Sequence, residues 1–262
     1  MIEKNKIYCG DNLTLIKQLD DNCIDLTVTS PPYDNLRTYN GFCWDFEGLA
    51  QELFRVTKDG GVVVWVVGDA TINGSETGTS FRQALYFMEC GFNCETMIYK
   101  VPGAGAKGSN YFYWQVFEYM FVFSKGYPKT SNRIKDKKNK RAGSISTSGL
   151  KSMKTGTRLH PIGGTVVSDY GYRDNVWEIL AGNNGDDSTD HPAPYPEKLA
   201  EDHIISWSNK CDLILDPFMG SGTTAKMALK NERDFIGFEI SQEYVDIANK
   251  RIEGWKEQTR LF

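Results

Sequence analysis

Short apolar runs alternate with amphipathic stretches along most of the chain. Ile24–Thr29, Gly61–Gly68, Cys94–Lys100, Val116–Ser124, Leu213–Asp216 and Phe235–Glu239 are rich in Val, Ile and Phe and read as strands. Leu13–Leu19, Phe46–Thr57, Ser80–Cys90, Pro196–Ser208, Thr223–Lys230 and Ser241–Glu257 read as helices. In the last of them Tyr244, Ile247, Ala248, Arg251, Ile252 and Trp255 share one side, as in a helix packed on a sheet. This alternation predicts an α/β fold, a mostly parallel sheet with helices on both faces.

One stretch breaks the pattern. Between Lys125 and His160 eleven Lys and Arg residues face a single acid, Asp136, among many Gly, Ser and Thr. The whole chain of 262 residues has a formal charge of −4, so a local +10 leaves −14 for the remainder. The net charge excludes a uniformly basic nucleic-acid module, but it is an average over two unlike parts. By charge alone the basic stretch is either a solvated loop or a phosphate-contacting insert. The expected organisation is a domain of residues 1–124 and 174–262 with an insert at 125–173.

Composition narrows the class further. At 40% hydrophobic and 13% aromatic residues the chain can fill a core, which excludes disorder. The longest purely apolar run, Val62–Val67, is far short of the roughly 20 residues that span a bilayer. The N-terminus lacks the apolar core of a signal peptide, so a cytoplasmic protein without a membrane partner is expected. Cys9, Cys23, Cys43, Cys90, Cys94 and Cys211 are scattered, without Cys-x-x-Cys, and no metal site is expected.

Two segments carry chemistry. In the first, a buried strand ends at Asp216 and runs through Pro217, Phe218 and Met219 into Gly220, Ser221, Gly222 and Thr223 at a helix start. Glycines there let backbone amides approach a ligand, and the helix N-terminus favours negative charge. Gly220-x-Gly222-x-x-Ala225 fits a loose dinucleotide fingerprint, with Glu239 placed where a ribose-binding acid belongs. NAD and S-adenosylmethionine both carry an adenosine ribose. Asp216 ahead of the glycines would repel a pyrophosphate and suits the ammonium of S-adenosylmethionine. No Gly-Lys-Ser or Gly-Lys-Thr follows, so this is not a P-loop.

In the second, the strand ending at Thr29 meets Ser30-Pro31-Pro32-Tyr33, and two prolines stop the ladder at the sheet's carboxyl edge. Ligands bind at that edge in open α/β sheets. Ser30 and the Pro31 carbonyl can accept both protons of an exocyclic amine, with Tyr33 stacked on the ring. Such an amine is a poor nucleophile, and accepted hydrogen bonds return electron density to its nitrogen. Positioning is then most of the catalysis. A base inside a duplex must be flipped out to reach such a pocket.

At these residues the sequence resembles the amino-methyltransferases of DNA, which methylate cytosine N4 or adenine N6. The order, Ser-Pro-Pro-Tyr before Asp-Pro-Phe-Met-Gly-Ser-Gly-Thr-Thr, resembles the circularly permuted β group. Gly10-Asp11-Asn12, Leu53–Gly61, Glu118–Lys125 and His191–Leu199 are similar to further segments of that family. The resemblance implies a Rossmann-like class I methyltransferase fold, S-adenosylmethionine as cofactor and double-stranded DNA as partner. It places Ser30, Pro31, Pro32 and Tyr33 in the catalytic turn. Asp216, Pro217, Phe218, Gly220, Ser221, Gly222 and Thr223 are expected on the cofactor's amino-acid part, Glu239 on its ribose and Asp11 near its adenine. Pro194 falls in the segment expected to close over the cofactor, where His191 is more a positional than a contacting residue.

The basic insert falls where the β group carries target recognition, which implies Arg133, Lys135, Lys137, Lys138, Lys140 and Arg141 on DNA, together with Arg37. Tyr111, Tyr113 and Trp114 read as core aromatics before a strand, with stacking on DNA as the alternative. Ser in the first position goes mostly with cytosine N4 in the family, and Asp or Asn with adenine N6. Carbon-5 methylation is disfavoured because no Pro-Cys occurs. Adenine N6 methylation, a catalytically silent nucleic-acid-binding protein and an NAD enzyme are the rival readings. A cognate restriction endonuclease and a homodimer stay open.

Overall fold

A computed structural model describes residues 2–33, 44–100, 113, 115–146, 165–179 and 196–259. Contacts divide the chain into two units, Met1–Asn132 with Asn175–Phe262, and Arg133–Asp174.

The first unit is built on an eight-stranded sheet. In chain order its strands are β1 (Lys6–Cys9), β2 (Ile24–Thr29), β3 (Thr57–Val67), β4 (Asn93–Lys100), β5 (Phe117–Ser124), β6 (Val176–Glu178), β7 (Leu213–Asp216) and β8 (Asp234–Glu239). They lie side by side as β1-β8-β7-β2-β3-β5-β4-β6. Every neighbouring pair is parallel except β3–β5 and β5–β4, so β5 alone runs against the rest.

The helices are α1 (Asn12–Ile16), α2 (Phe46–Val56), α3 (Thr79–Glu89), α4 (Glu197–Trp207), α5 (Thr223–Lys230) and α6 (Gln242–Thr259). Side chains alternate across a strand, and β3 shows what that does here. Val62, Val64 and Val66 pack with Leu199 and Ile204 of α4, Ala225 of α5 and Ile252 of α6. Val63, Trp65 and Val67 face Ile16 of α1, Leu49 and Leu53 of α2 and Phe87 of α3. Both faces are covered, so this strand reads as one continuous apolar run.

Three boundaries differ from the pattern-based reading. β3 begins at Thr57, four residues early, because Thr57 already pairs with Ile24 before the register shifts to Leu26–Val62. The short strands β1 and β6 carry no readable period and owe their form to parallel pairing with β8 and β4. The insert also starts later than Lys125. The Lys125 ammonium donates to the Phe54 and Thr57 carbonyls at 2.9 and 3.0 Å, and the Lys129 amide bonds the Gly60 carbonyl. Residues 125–132 therefore belong to the sheet unit.

Arg133–Asp174 contains the two-residue ladders Lys137–Lys138 with Tyr170–Gly171 and Ile145–Ser146 with Thr165–Val166. Among the described residues no helix is long and apolar enough to cross a membrane.

Candidate active site

The sheet positions the two chemical segments next to each other. β7 and β2 are neighbours, in register at Ile214–Leu26 and Leu215–Thr27. The chain leaves β7 for β8 on one side and β2 for β3 on the other. That reversal opens a crevice at the carboxyl ends, where α/β sheets bind ligands. Thr29 at the end of β2 donates its hydroxyl to Asp216 Oδ1 across this gap, at 2.7 Å. Asp216 Oδ1 also accepts the Phe218 amide at 3.0 Å, and Oδ2 accepts the Thr224 hydroxyl at 2.6 Å. One carboxylate thus ties the strand before Ser30 to the glycine turn and to α5.

Asp216, expected on the cofactor's amino-acid part, lies buried beneath the turn. It is 0% exposed, and its oxygens accept from Thr29, Phe218 and Thr224, so it shapes the turn from inside the protein. Burial pushes its carboxyl up to about 6, against the Thr224, Thr29 and Phe218 bonds that favour the anion. A carboxyl raised on folding supports the folded state fully below its unfolded value of 3.8, and that support is lost as pH rises through about 6. Asp216→Asn keeps the shape and removes the titration. Denaturant unfolding across pH 4–7 should then show wild-type stability falling by about 2–3 kcal/mol relative to the variant.

The turn itself needs its glycines. Gly220 and Gly222 have φ of 50° and 84°, the left-handed region that side chains disfavour. A Cβ on Gly222 would also lie 2.9 Å from Ala248 Cβ, so α6 packs directly on the loop. Glu239 at the end of β8 accepts the Gly220 amide on Oε2 at 2.8 Å and the Ser241 amide on Oε1 at 2.9 Å. Each oxygen keeps lone-pair capacity for a diol. The Gly10 amide bonds the Glu239 carbonyl, which brings exposed Asp11, the cap of α1, to the same edge.

Buried Asn12 donates to the Pro217 carbonyl, and its Oδ1 has no partner. That orphaned acceptor beside the glycine turn, with Glu239 and left-handed glycines, fits a polar nucleoside ligand. Ser221 and Thr223 are buried and accept from Arg251 of α6 at 3.3 and 3.2 Å, which ties the turn to that helix. Arg251 in turn pairs with Glu197 at the start of α4, as does Lys226 of α5.

The Ser30–Tyr33 turn is held from the other side. Ser30 Oγ lies 3.0 Å from Tyr33 Oη, and Tyr33 donates to Glu118 Oε2 at 3.0 Å. Tyr99 also donates to that oxygen. Pro31 is buried, and Ser30, Pro32 and Tyr33 are half-buried. Phe218 packs edge-on against Trp44, ring centroids 4.9 Å apart, which gives the crevice an aromatic wall.

Glu118, Tyr99, Thr29, Thr224 and Arg251 were not assigned to the site from sequence. Only Glu118 carried a signal, as the one acid in the apolar strand Phe117–Ser124. Arg37, Pro194, His191, Tyr111 and Trp114 lie outside the described residues. Tyr113 is fully exposed, which removes the core reading for it.

In the Arg133–Asp174 unit the basic residues differ in availability. Lys137 pairs with Asp174, and the Arg133 guanidinium lies 4.0 Å from the Tyr172 ring centroid, with the Lys135 ammonium at 4.9 Å. Lys138, Lys140 and Arg141 are exposed, and none of them forms an ion pair among the described residues.

The comparisons fall on this architecture. Residues 24–250 match the DNA methylase family model of N6/N4 methyltransferases. The orphan methyltransferase M.BamHII of Bacillus amyloliquefaciens is 54% identical over 91% of this chain and 92% of its own length. The type II methyltransferase M.BglII of Bacillus subtilis is 29% identical over 98% of this chain and 71% of its own. Among solved structures, the cytosine-N4-specific PvuII DNA methyltransferase superposes with a TM-score of 0.70 at 22% identity, covering 95% of this chain and 86% of that one. The M1.HpyAVI–SAM complex gives 0.62 at 22%, over 94% and 98%. The sheet with one reversed strand is therefore the class I methyltransferase fold, and the chain belongs to the DNA methylase family of N6/N4 methyltransferases.

Proposed function

We propose that this protein transfers the methyl group of S-adenosylmethionine to the exocyclic N4 of a cytosine flipped out of double-stranded DNA at a specific sequence. The observation that carries this reading is the Thr29–Asp216 bond, which fixes the amine-accepting turn beside the nucleoside-binding turn. The cofactor supplies a methyl on a sulfonium, already a strong electrophile. Glu239 would hold its ribose hydroxyls, the backbone of Phe218–Gly222 its amino-acid end, and Asp11 would lie near its adenine. Asp216, ionised above about pH 6, contributes a buried negative field that favours a cation in the crevice.

Ser30 and the Pro31 carbonyl accept the amine hydrogens and aim its lone pair, with Tyr33 beside the base. Ser in the first position of the turn supports cytosine over adenine. The appearance of the catalytic turn before the glycine turn is the order of the permuted β group. The Arg133–Asp174 unit supports target recognition by its exposed Lys138, Lys140 and Arg141. Mass spectrometry of nucleosides from DNA treated with the purified protein tests the reading, with N4-methylcytosine the expected product and N6-methyladenine the rival one.

A further inference from the structure

Glu118 stands on β5 opposite Tyr99 of β4, the one acid in its strand. Its Oε2 accepts from two phenols, Tyr33 at 3.0 Å and Tyr99. Tyr99 is 4% exposed, and burial first, then the charge of Glu118, push its phenol well above the ordinary range. Tyr99 is therefore fixed as a donor. Gly68, just past the end of β3, borders the assembly: a Cβ there would lie in ordinary contact, 3.5 Å from the Tyr33 ring and 3.9 Å from Glu118 Cγ.

We infer that Glu118 sets the hydrogen-bond polarity of the catalytic turn, acting on Ser30 through Tyr33. A carboxylate only accepts, and a phenol has one proton. With that proton on Glu118, the bond between Tyr33 Oη and Ser30 Oγ can be donated only by Ser30. The Ser30 proton is spent inward, and its lone pairs face the crevice. The group that Ser30 recognises is then an N–H donor, an exocyclic amine rather than a carbonyl or an unprotonated ring nitrogen. With the opposite polarity one Ser30 lone pair would be taken by Tyr33, and the Ser30 proton would be free to turn into the crevice. This rests on the reading of Ser30 as the amine's acceptor, and it makes Glu118 a positioning residue.

The test compares the full-length wild type with Glu118→Gln, Glu118→Asp and Tyr33→Phe in single-turnover transfer of labelled methyl from S-adenosylmethionine to unmethylated duplex DNA. Calorimetry of cofactor binding serves as the check on folding. A glutamine can donate as well as accept, so Glu118→Gln should slow transfer about tenfold or more, with KM for DNA and cofactor Kd within about twofold. Glu118→Asp restores an acceptor-only group and should recover most of the rate. Tyr33→Phe keeps the ring and deletes the relay, so it should fall like Glu118→Gln, and it decides the matter if Glu118→Gln does not fold. A folded Glu118→Gln or Tyr33→Phe within about twofold of wild type overturns the inference, as does a Glu118→Asp no faster than Glu118→Gln. A wild type that transfers no methyl to DNA overturns the amino-methyltransferase reading itself, and this inference with it.

Discussion

Ser30→Ala is expected to slow single-turnover methyl transfer about a hundredfold or more while leaving cofactor affinity within about twofold. The loss follows from the role of the hydroxyl. In the proposed reaction it is a positioned acceptor that returns electron density to the amine as the new bond forms, and removing one such preorganised hydrogen bond costs about 10²–10³ in rate. A hundredfold corresponds to about 2.7 kcal/mol of transition-state stabilisation. The cofactor is spared because Ser30 takes no part in the glycine turn. The link between the two runs through Thr29 and Asp216, which the substitution leaves in place. A Ser30→Ala protein that binds cofactor normally and methylates at the wild-type rate removes Ser30 from the chemistry.

The second large effect is on DNA. Reversing Lys138, Lys140 and Arg141 to Glu together should lower DNA affinity about a hundredfold or more near physiological salt. It should also flatten the dependence of log K on log salt by about three phosphate contacts. All five of these basic residues are exposed, and Lys138, Lys140 and Arg141 are chosen because Lys137 is already paired with Asp174 and Arg133 lies on Tyr172. Fluorescence anisotropy of a duplex across a salt series reads both quantities. Cofactor binding, measured in parallel, should not change. An unchanged salt slope would detach the Arg133–Asp174 unit from phosphate recognition.

The sheet was legible where a strand was buried on both faces. Val62–Val67 announces itself as a run, and Leu213–Asp216 is followed by glycines that only a tight turn requires. β1 and β6 were not legible, since a few residues paired in parallel at an edge carry no period. The same division holds in the site. Ser30, Tyr33, Glu239 and the glycines are adjacent to strand ends, so sequence order alone brings them to one edge. Glu118, Tyr99 and Arg251 reach it by strand pairing and helix packing across large sequence separations, which no local pattern encodes.

Asp216 shows a subtler limit. Its residue type and position pointed to the ammonium of a ligand, but its burial assigns both oxygens to Thr29, Phe218 and Thr224. Motif reading finds the residue but not the three bonds that hold it. The charge pattern behaved alike: it marked a basic segment, and the structure then moved Lys125 and Lys129 onto the sheet unit.

The most direct measurement is nucleoside mass spectrometry of duplex DNA incubated with the purified protein and S-adenosylmethionine. N4-methylcytosine, absent when Ser30 is replaced by Ala, is the result predicted here. N6-methyladenine would contradict the base assignment, and no methylated nucleoside from the wild type would contradict the account as a whole.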